Sequence, residues 1–196
     1  MGDPARLKLA LAGPDTVLGS SLCATCPYSP AGCCVAPPRY DWSDLARVVD
    51  HGGAEWLVEQ LAARRLVPVE HGLAIKREKR RVTASRESPR LAKCTFHDGG
   101  SGCTIEPTQR PATCNFYLCD AALAAGEQAG QRGEAEVARA EHDRLVAHFV
   151  STDEVLHERV RAQWPVEQRG SLVFFEWLAQ TYRALRASGT ERVNGP

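Results

Sequence analysis

The chain has no excess of charge: 24 Lys and Arg stand against 24 Asp and Glu in 196 residues. Zero formal net charge exerts no global pull on nucleic acid or on an anionic membrane, so any such binding has to be local. Long hydrophobic runs are missing too. The one apolar run near the N-terminus, in MGDPARLKLALAGPDTVLGSSLC, is broken by Pro14 and Asp15, and Leu22 directly before Cys23 spoils a lipoprotein cleavage site. That run is too short for a signal sequence or a membrane span, so the expected compartment is the cytoplasm and no membrane partner is expected. A phosphate-binding glycine loop, a GxSxG elbow and an HExxH helix are absent, which leaves hydrolase and kinase chemistry without support. The nearest approach, HDGGSG at 97–102, lacks the lysine of a phosphate loop and reads as a turn. The sequence holds no internal repeat and no long low-complexity tract.

What it does hold is cysteine. Four of the eight fall within CATCPYSPAGCC, as Cys23, Cys26, Cys33 and Cys34; Cys94, Cys103, Cys114 and Cys119 follow much later. A chain with 43% hydrophobic residues can bury a core without cross-links. In a reducing compartment, a CxxC therefore points to metal or redox chemistry rather than to a disulfide framework. A CxxC turn can aim two sulfurs at one ion. Adjacent Cys33 and Cys34 face opposite ways in an extended chain, which suggests a junction of two sites or one ligand beside a bystander. Thiolate-only ligand sets favour zinc, copper(I) or iron-sulfur clusters. The spacings do not choose among them, since a zinc ribbon needs a second CxxC and the later set matches neither common ferredoxin pattern. The plain alternative is buried structural cysteine.

CATCPYSPAGCC followed by CTFHDGGSGCTIEPTQRPATCNFYLC resembles the YkgJ-type cysteine-cluster family. Its members are described as zinc- or iron-chelating proteins, and flagellin lysine-N-methylases are among its relatives. The family's CxxC, CC, C-x-F, C-x-I, Arg-Pro and closing C-x-x-F-x-C-like steps fall on Cys23, Cys26, Cys33, Cys34, Cys94, Phe96, Cys103, Ile105, Arg110, Pro111, Cys114 and Cys119. The resemblance covers roughly residues 23 to 119. The gap between Cys26 and Cys33 is longer than the family's, and Phe116 sits one place nearer Cys114. The resemblance implies that all eight cysteines are metal ligands and that the cofactor is an iron-sulfur cluster, of the 4Fe-4S type, or zinc. The chain lacks the methylases' extra length, so their activity is not carried over.

Other residues have two readings each. Arg110 beside Pro111 is either a turn element or a guanidinium that favours thiolate and offsets a cluster's negative charge, which makes it a candidate cofactor contact. His97 can be a ligand or a surface turn histidine. The stretch KREKRRVTASRESPRLAK at 76–93 reads as a solvated edge strand or as an anion- or RNA-binding patch; interleaved aromatics are missing, and nucleic acid is not expected.

Periodicity supplies the frame. Asp41 caps a helix with Leu45, Val48 and Val49 that ends at Gly52-Gly53, and a second helix carries Trp56, Leu57 and Leu61. Val67, Val69, Leu73 and Ile75 read as strands around a His71-Gly72 turn, pairing with 91–96. One amphipathic helix carries Val137, Leu145 and Phe149, and a capping box of Ser151 with Glu154 opens another that stops at Pro165. Ser171 opens the last, with Phe174, Phe175, Leu178, Tyr182 and Leu185 inward and Gly189 at its end. The expected fold is α+β, mainly helical, with a small metal-stapled cysteine-rich core, a short β-hairpin and a C-terminal helical segment. Residues 1–120 are expected to form the cysteine-cluster metal-binding domain, and 121–196 a helical extension packed on it whose helices offer a docking surface to a protein partner. The expected function is a metal-binding protein holding an iron-sulfur cluster or zinc, with redox or protein-modifying use. A zinc-stapled interaction module and a thiol-disulfide redox protein are the alternatives.

Overall fold

The computed structural model describes residues 6–25, 33–81, 90–98 and 102–188; Cys26 and Gly189 lie outside them. In chain order the elements are β1 (Leu7–Ala10), β2 (Val17–Ser20), α1 (Trp42–Asp50), α2 (Ala54–Ala62), β3 (Leu66–Val69), β4 (Gly72–Ile75), β5 (Arg77–Arg81), β6 (Arg90–Cys94), β7 (His97–Asp98), β8 (Gly102–Cys103), α3 (Ala112–Phe116), α4 (Asp120–Gln128), α5 (Arg132–Gln163) and α6 (Leu172–Ala187). Short 3-10 turns at Ser21–Thr25 and Cys33–Val35 carry Cys23, Cys33 and Cys34. The class is α+β, mainly helical among the described residues, with small antiparallel hairpins. Among the described residues no helix is long and apolar enough to cross a membrane.

The chain groups into two compact units, one of Met1–Pro38 and Ile75–His148, the other of Arg39–Ala74 and Phe149–Pro196. In the first, β1 and β2 pair from Leu7↔Ser20 to Ala10↔Val17, around the Pro14-Asp15 break that makes the apolar run a hairpin. Leu7 and Leu18 are buried. The Gln131 side chain extends the ladder: the Leu7 N–H donates to its Oε1 at 2.7 Å, and its Nε2 donates to the Leu7 carbonyl at 3.2 Å. Helix α4 lies against β1, and Gly126 permits the approach, since a Cβ there would stand 2.5 Å from Leu7 Cγ. Low amphipathicity hid this helix from sequence reading: ALAAGEQAG is small-residue and glycine-punctuated.

Strand β6 does not pair with the 67–75 hairpin as expected. It runs antiparallel to β5, from Arg77↔Cys94 to Arg81↔Arg90. The cause is local: β3 and β4 close on each other through Glu70-His71, and the chain passes from β4 through Lys76 straight into β5, which offers its ladder to β6. Arg77, Glu78 and Lys79 are exposed, which matches the solvated edge-strand reading of the basic stretch; residues 82–89 of that stretch lie outside the described residues.

In the second unit, α1 and α2 pack on α6. Asp41 caps α1, and its backbone N–H donates to Asp44 Oδ2 at 3.3 Å. Ser171 caps α6, accepting from the Phe174 N–H at 3.2 Å. The aromatic stripe is core, as its spacing predicts. Phe174, Phe175, Leu178 and Tyr182 are fully buried, and Phe174 meets Trp42 edge-on at 5.6 Å and Trp164 at 5.2 Å. Burying each such ring stabilises this unit by about 1.5–3 kcal/mol. The β3–β4 hairpin is fastened by a reciprocal pair: Tyr40 N–H to the Leu73 carbonyl at 2.8 Å, and Leu73 N–H to the Tyr40 carbonyl at 2.9 Å. Gly72, with φ of 130°, is required there because any Cβ would collide with the Tyr40 carbonyl oxygen.

One expectation for the C-terminal region is corrected. Ser151 and Glu154 do not open a helix; α5 runs unbroken from Arg132 to Gln163. No glycine or proline falls between Glu134 and Trp164, and an established helix propagates through a serine at less cost than ending and renucleating.

Candidate metal centre

The described cysteines all belong to the first unit. Cys23 lies in the 3-10 turn Ser21–Thr25, directly after β2, and is exposed. Two hydrogen bonds hold that turn to Arg6, the residue before β1: Ser21 N–H to the Arg6 carbonyl at 3.0 Å and Arg6 N–H to Ser21 Oγ at 2.9 Å. The turn packs on α4, whose N-cap is Cys119, while β2 packs on α3, which carries Cys114. So the segment beginning the early cysteine motif sits against the two elements that end the late one. A helix N-terminus such as that of α4 favours nearby negative charge, which suits a thiolate cluster.

A second meeting involves the adjacent pair. The turn Cys33–Val35 packs on β6, whose last residue is the buried Cys94. Arg77 of β5 ties the turn down, its Nη1 donating to the Val35 carbonyl at 2.7 Å. Cys34 is half-buried. Beyond Cys94 the chain turns at Thr95-Phe96 into the β7–β8 ladder, where Cys103 lies opposite His97. Thr104 fixes that ladder, its N–H and its hydroxyl each donating to the Phe96 carbonyl at 2.9 Å. Phe96 and Ile105, the apolar residues next in line after Cys94 and Cys103, are buried. Cys103 and Cys119 are half-buried free thiols.

Arg110 and Pro111 position Cys114. The Arg110 Nε donates to the Ile105 carbonyl at 2.6 Å, holding the loop after β8 against the entrance to α3. Pro111 precedes α3, and its carbonyl accepts the Cys114 N–H at 2.9 Å. Both bonds lie in the turn that leads to Cys114.

Sequence reading passed over Asn115. It is buried, its Nδ2 donates to the Pro107 carbonyl at 2.7 Å, and its buried Oδ1 has no hydrogen-bond partner among the described residues. Leaving such an acceptor unsatisfied costs about 1–3 kcal/mol. Its place beside Cys114 was the only signal for it. His142 of α5, also passed over, stands edge-on to Phe116 at 5.6 Å and near Tyr117 at 6.2 Å.

Among the described residues no three His, Cys, Asp or Glu side chains gather into a metal-binding group. Cys26 is outside that set. Sulfur, the donor on the cysteine-bearing segments described above, is the type that soft ions and clusters prefer. Compared with protein-family models, with curated proteins and with solved structures, the chain matches none.

Proposed function

We propose that the first unit is a thiolate metal centre, binding an iron-sulfur cluster, or zinc in its place, through Cys23, Cys26, Cys33, Cys34, Cys94, Cys103, Cys114 and Cys119. The observation that carries this reading is the packing of the early cysteine turns on the late cysteine elements: Ser21–Thr25 on α4, and Cys33–Val35 on β6. Structural cysteines scattered through a core would not need two distant motifs to pair off in this way. The resemblance of the eight-cysteine pattern to the YkgJ-type family supports the same chemistry. Arg110 lies in the loop leading to Cys114 and would offset the negative charge of a thiolate-bound cluster.

Thiolates persist in a reducing compartment, so a cytoplasmic location belongs to this proposal. A redox or protein-modifying use follows if the bound centre is iron-sulfur. Val166, Leu172 and Val173 are exposed around the start of α6, and we assign the docking of a protein partner to that C-terminal face.

The deciding experiment is elemental analysis of protein purified without oxygen. Iron with acid-labile sulfide and broad visible absorption supports the cluster, and colourless protein with stoichiometric zinc supports a zinc-stapled module. Metal-free protein whose thiol count follows added oxidant would replace the proposal by a thiol-disulfide function.

A further inference from the structure

The second unit contains no cysteine, yet it holds two histidines that meet. His71, in the turn between β3 and β4, and His157, on α5, bring their Nδ1 atoms to 3.0 Å although 86 residues separate them. The ring centroids are 4.4 Å apart and the planes are inclined by 51°. The two Nδ1 atoms therefore stand closer to each other than the ring centres do. Two cis ligands, each about 2.1 Å from one ion, stand about 3 Å apart.

Both histidines are braced by the rest of the unit. The reciprocal Tyr40–Leu73 hydrogen bonds and the close approach at Gly72 set the turn that carries His71. Leu156 and Val160, fully buried on either side, set the helical face of His157. One turn earlier, Asp153 anchors α5 to the Ser43 N–H of α1 at 3.0 Å. Solvent still reaches the pair, because the His71 side chain is 38% exposed. On the far side of the His71 ring, Glu70 Oε2 lies 3.8 Å from Nε2. That is a short movement from the carboxylate–histidine contact which orients a ring whose other nitrogen binds metal.

We propose that His71 and His157 form a chelate site for a divalent transition-metal ion of the nickel, copper or zinc class, held through both Nδ1 atoms with water completing the coordination. A bound ion clamps the β3–β4 turn to α5. The site takes nitrogen-preferring ions and is separate from the thiolate centre in chemistry as well as in residues, so the failure of either proposal leaves the other standing.

The test uses the full chain, purified without oxygen with its own metal in place, and titrated with nickel(II) chloride. Paramagnetic nickel is expected to broaden the imidazole proton signals of two of the six histidines before the others. His71→Gln and His157→Gln are each expected to lower nickel affinity about tenfold or more, whereas His51→Gln retains it and all three keep the native thiolate metal content. Circular dichroism without nickel checks folding; should His157→Gln fail that check, His71→Gln, in the partly exposed turn, carries the comparison. Broadening spread over all six histidines, or native nickel affinity in folded His71→Gln, would overturn the proposal and leave the pair as a plain N–H···N hydrogen bond.

Discussion

The Asp153 carboxylate of α5 accepts from both the backbone N–H of Ser43, at 3.0 Å, and its hydroxyl, at 3.3 Å, in the first turn of α1. It thereby satisfies amides that the start of a helix leaves without intrahelical partners. Burial raises its pKa, the bonds from Ser43 oppose that rise, and the nearby Asp41 carboxylate adds to it. Asp153→Ala should cost about 1–2 kcal/mol, the scale of a lost cap together with an unsatisfied amide. Because the folded pKa lies above the ordinary 3.8, the folded state binds this proton more readily than the unfolded chain. The contribution of Asp153 to stability therefore declines as pH rises from 3.8 to the folded value, and is constant beyond it. Asp153→Asn removes that slope. Urea unfolding of both proteins between about pH 3 and pH 7 checks this, and a pH-independent difference would contradict it.

Glu141 behaves oppositely. Arg144 donates to it from Nε at 2.8 Å and Nη2 at 2.6 Å, and Thr16 Oγ1 donates at 2.9 Å; the Arg144 bonds chiefly, with Thr16 assisting, lower its pKa. Its stabilisation is present above the ordinary 4.5 and is lost as pH falls through the folded value. Arg144 is 51% exposed, so Glu141→Gln should cost only about 0.5–1 kcal/mol at neutral pH. That cost should vanish in acid. Unfolding curves of the two proteins converging at low pH are the expected result.

The cysteines should not be equivalent. Cys26→Ser or Cys114→Ser should strip most of the metal, since a serine oxygen is a poor ligand for a soft centre. One of the two single replacements Cys33→Ser and Cys34→Ser should be tolerated, because adjacent side chains diverge. Metal content per chain, measured anaerobically for the four variants, decides. Retention in Cys26→Ser with loss in both Cys33→Ser and Cys34→Ser would reverse this assignment of roles.

Metal removal should loosen the first unit alone, because binding free energy at such a centre is also folding free energy for the segments it ties together. After chelation or oxidation, amides of β1, β2, α3 and α4 should lose hydrogen-exchange protection. Those of α1 and α6, around Trp42 and Phe174, should keep it. Uniform loss, or none, would show that the centre does not staple this unit.

Local chemistry determined the features that a few neighbouring residues encode. Asp41 before an apolar period caps α1, Ser171 caps α6, and the stripe Phe174, Phe175, Leu178, Tyr182 and Leu185 is buried as its spacing requires. The two cysteine motifs, the His71-Gly72 turn and the balance of charge are likewise legible in the residues themselves, because caps, periods and turns act within one or two helical turns of chain. Tertiary structure decided whatever depends on closing long loops. It gave β6 the basic strand β5 as its partner, carried α5 through a serine that resembles a helix start, and interleaved 39–74 with 149–196 in one unit. It also brought the Asp153 carboxylate to Ser43 and His157 to His71. A contact across 86 or 110 residues leaves no periodicity to read, since its loop-closure cost is met by the packing of the whole core and not by the residues that touch.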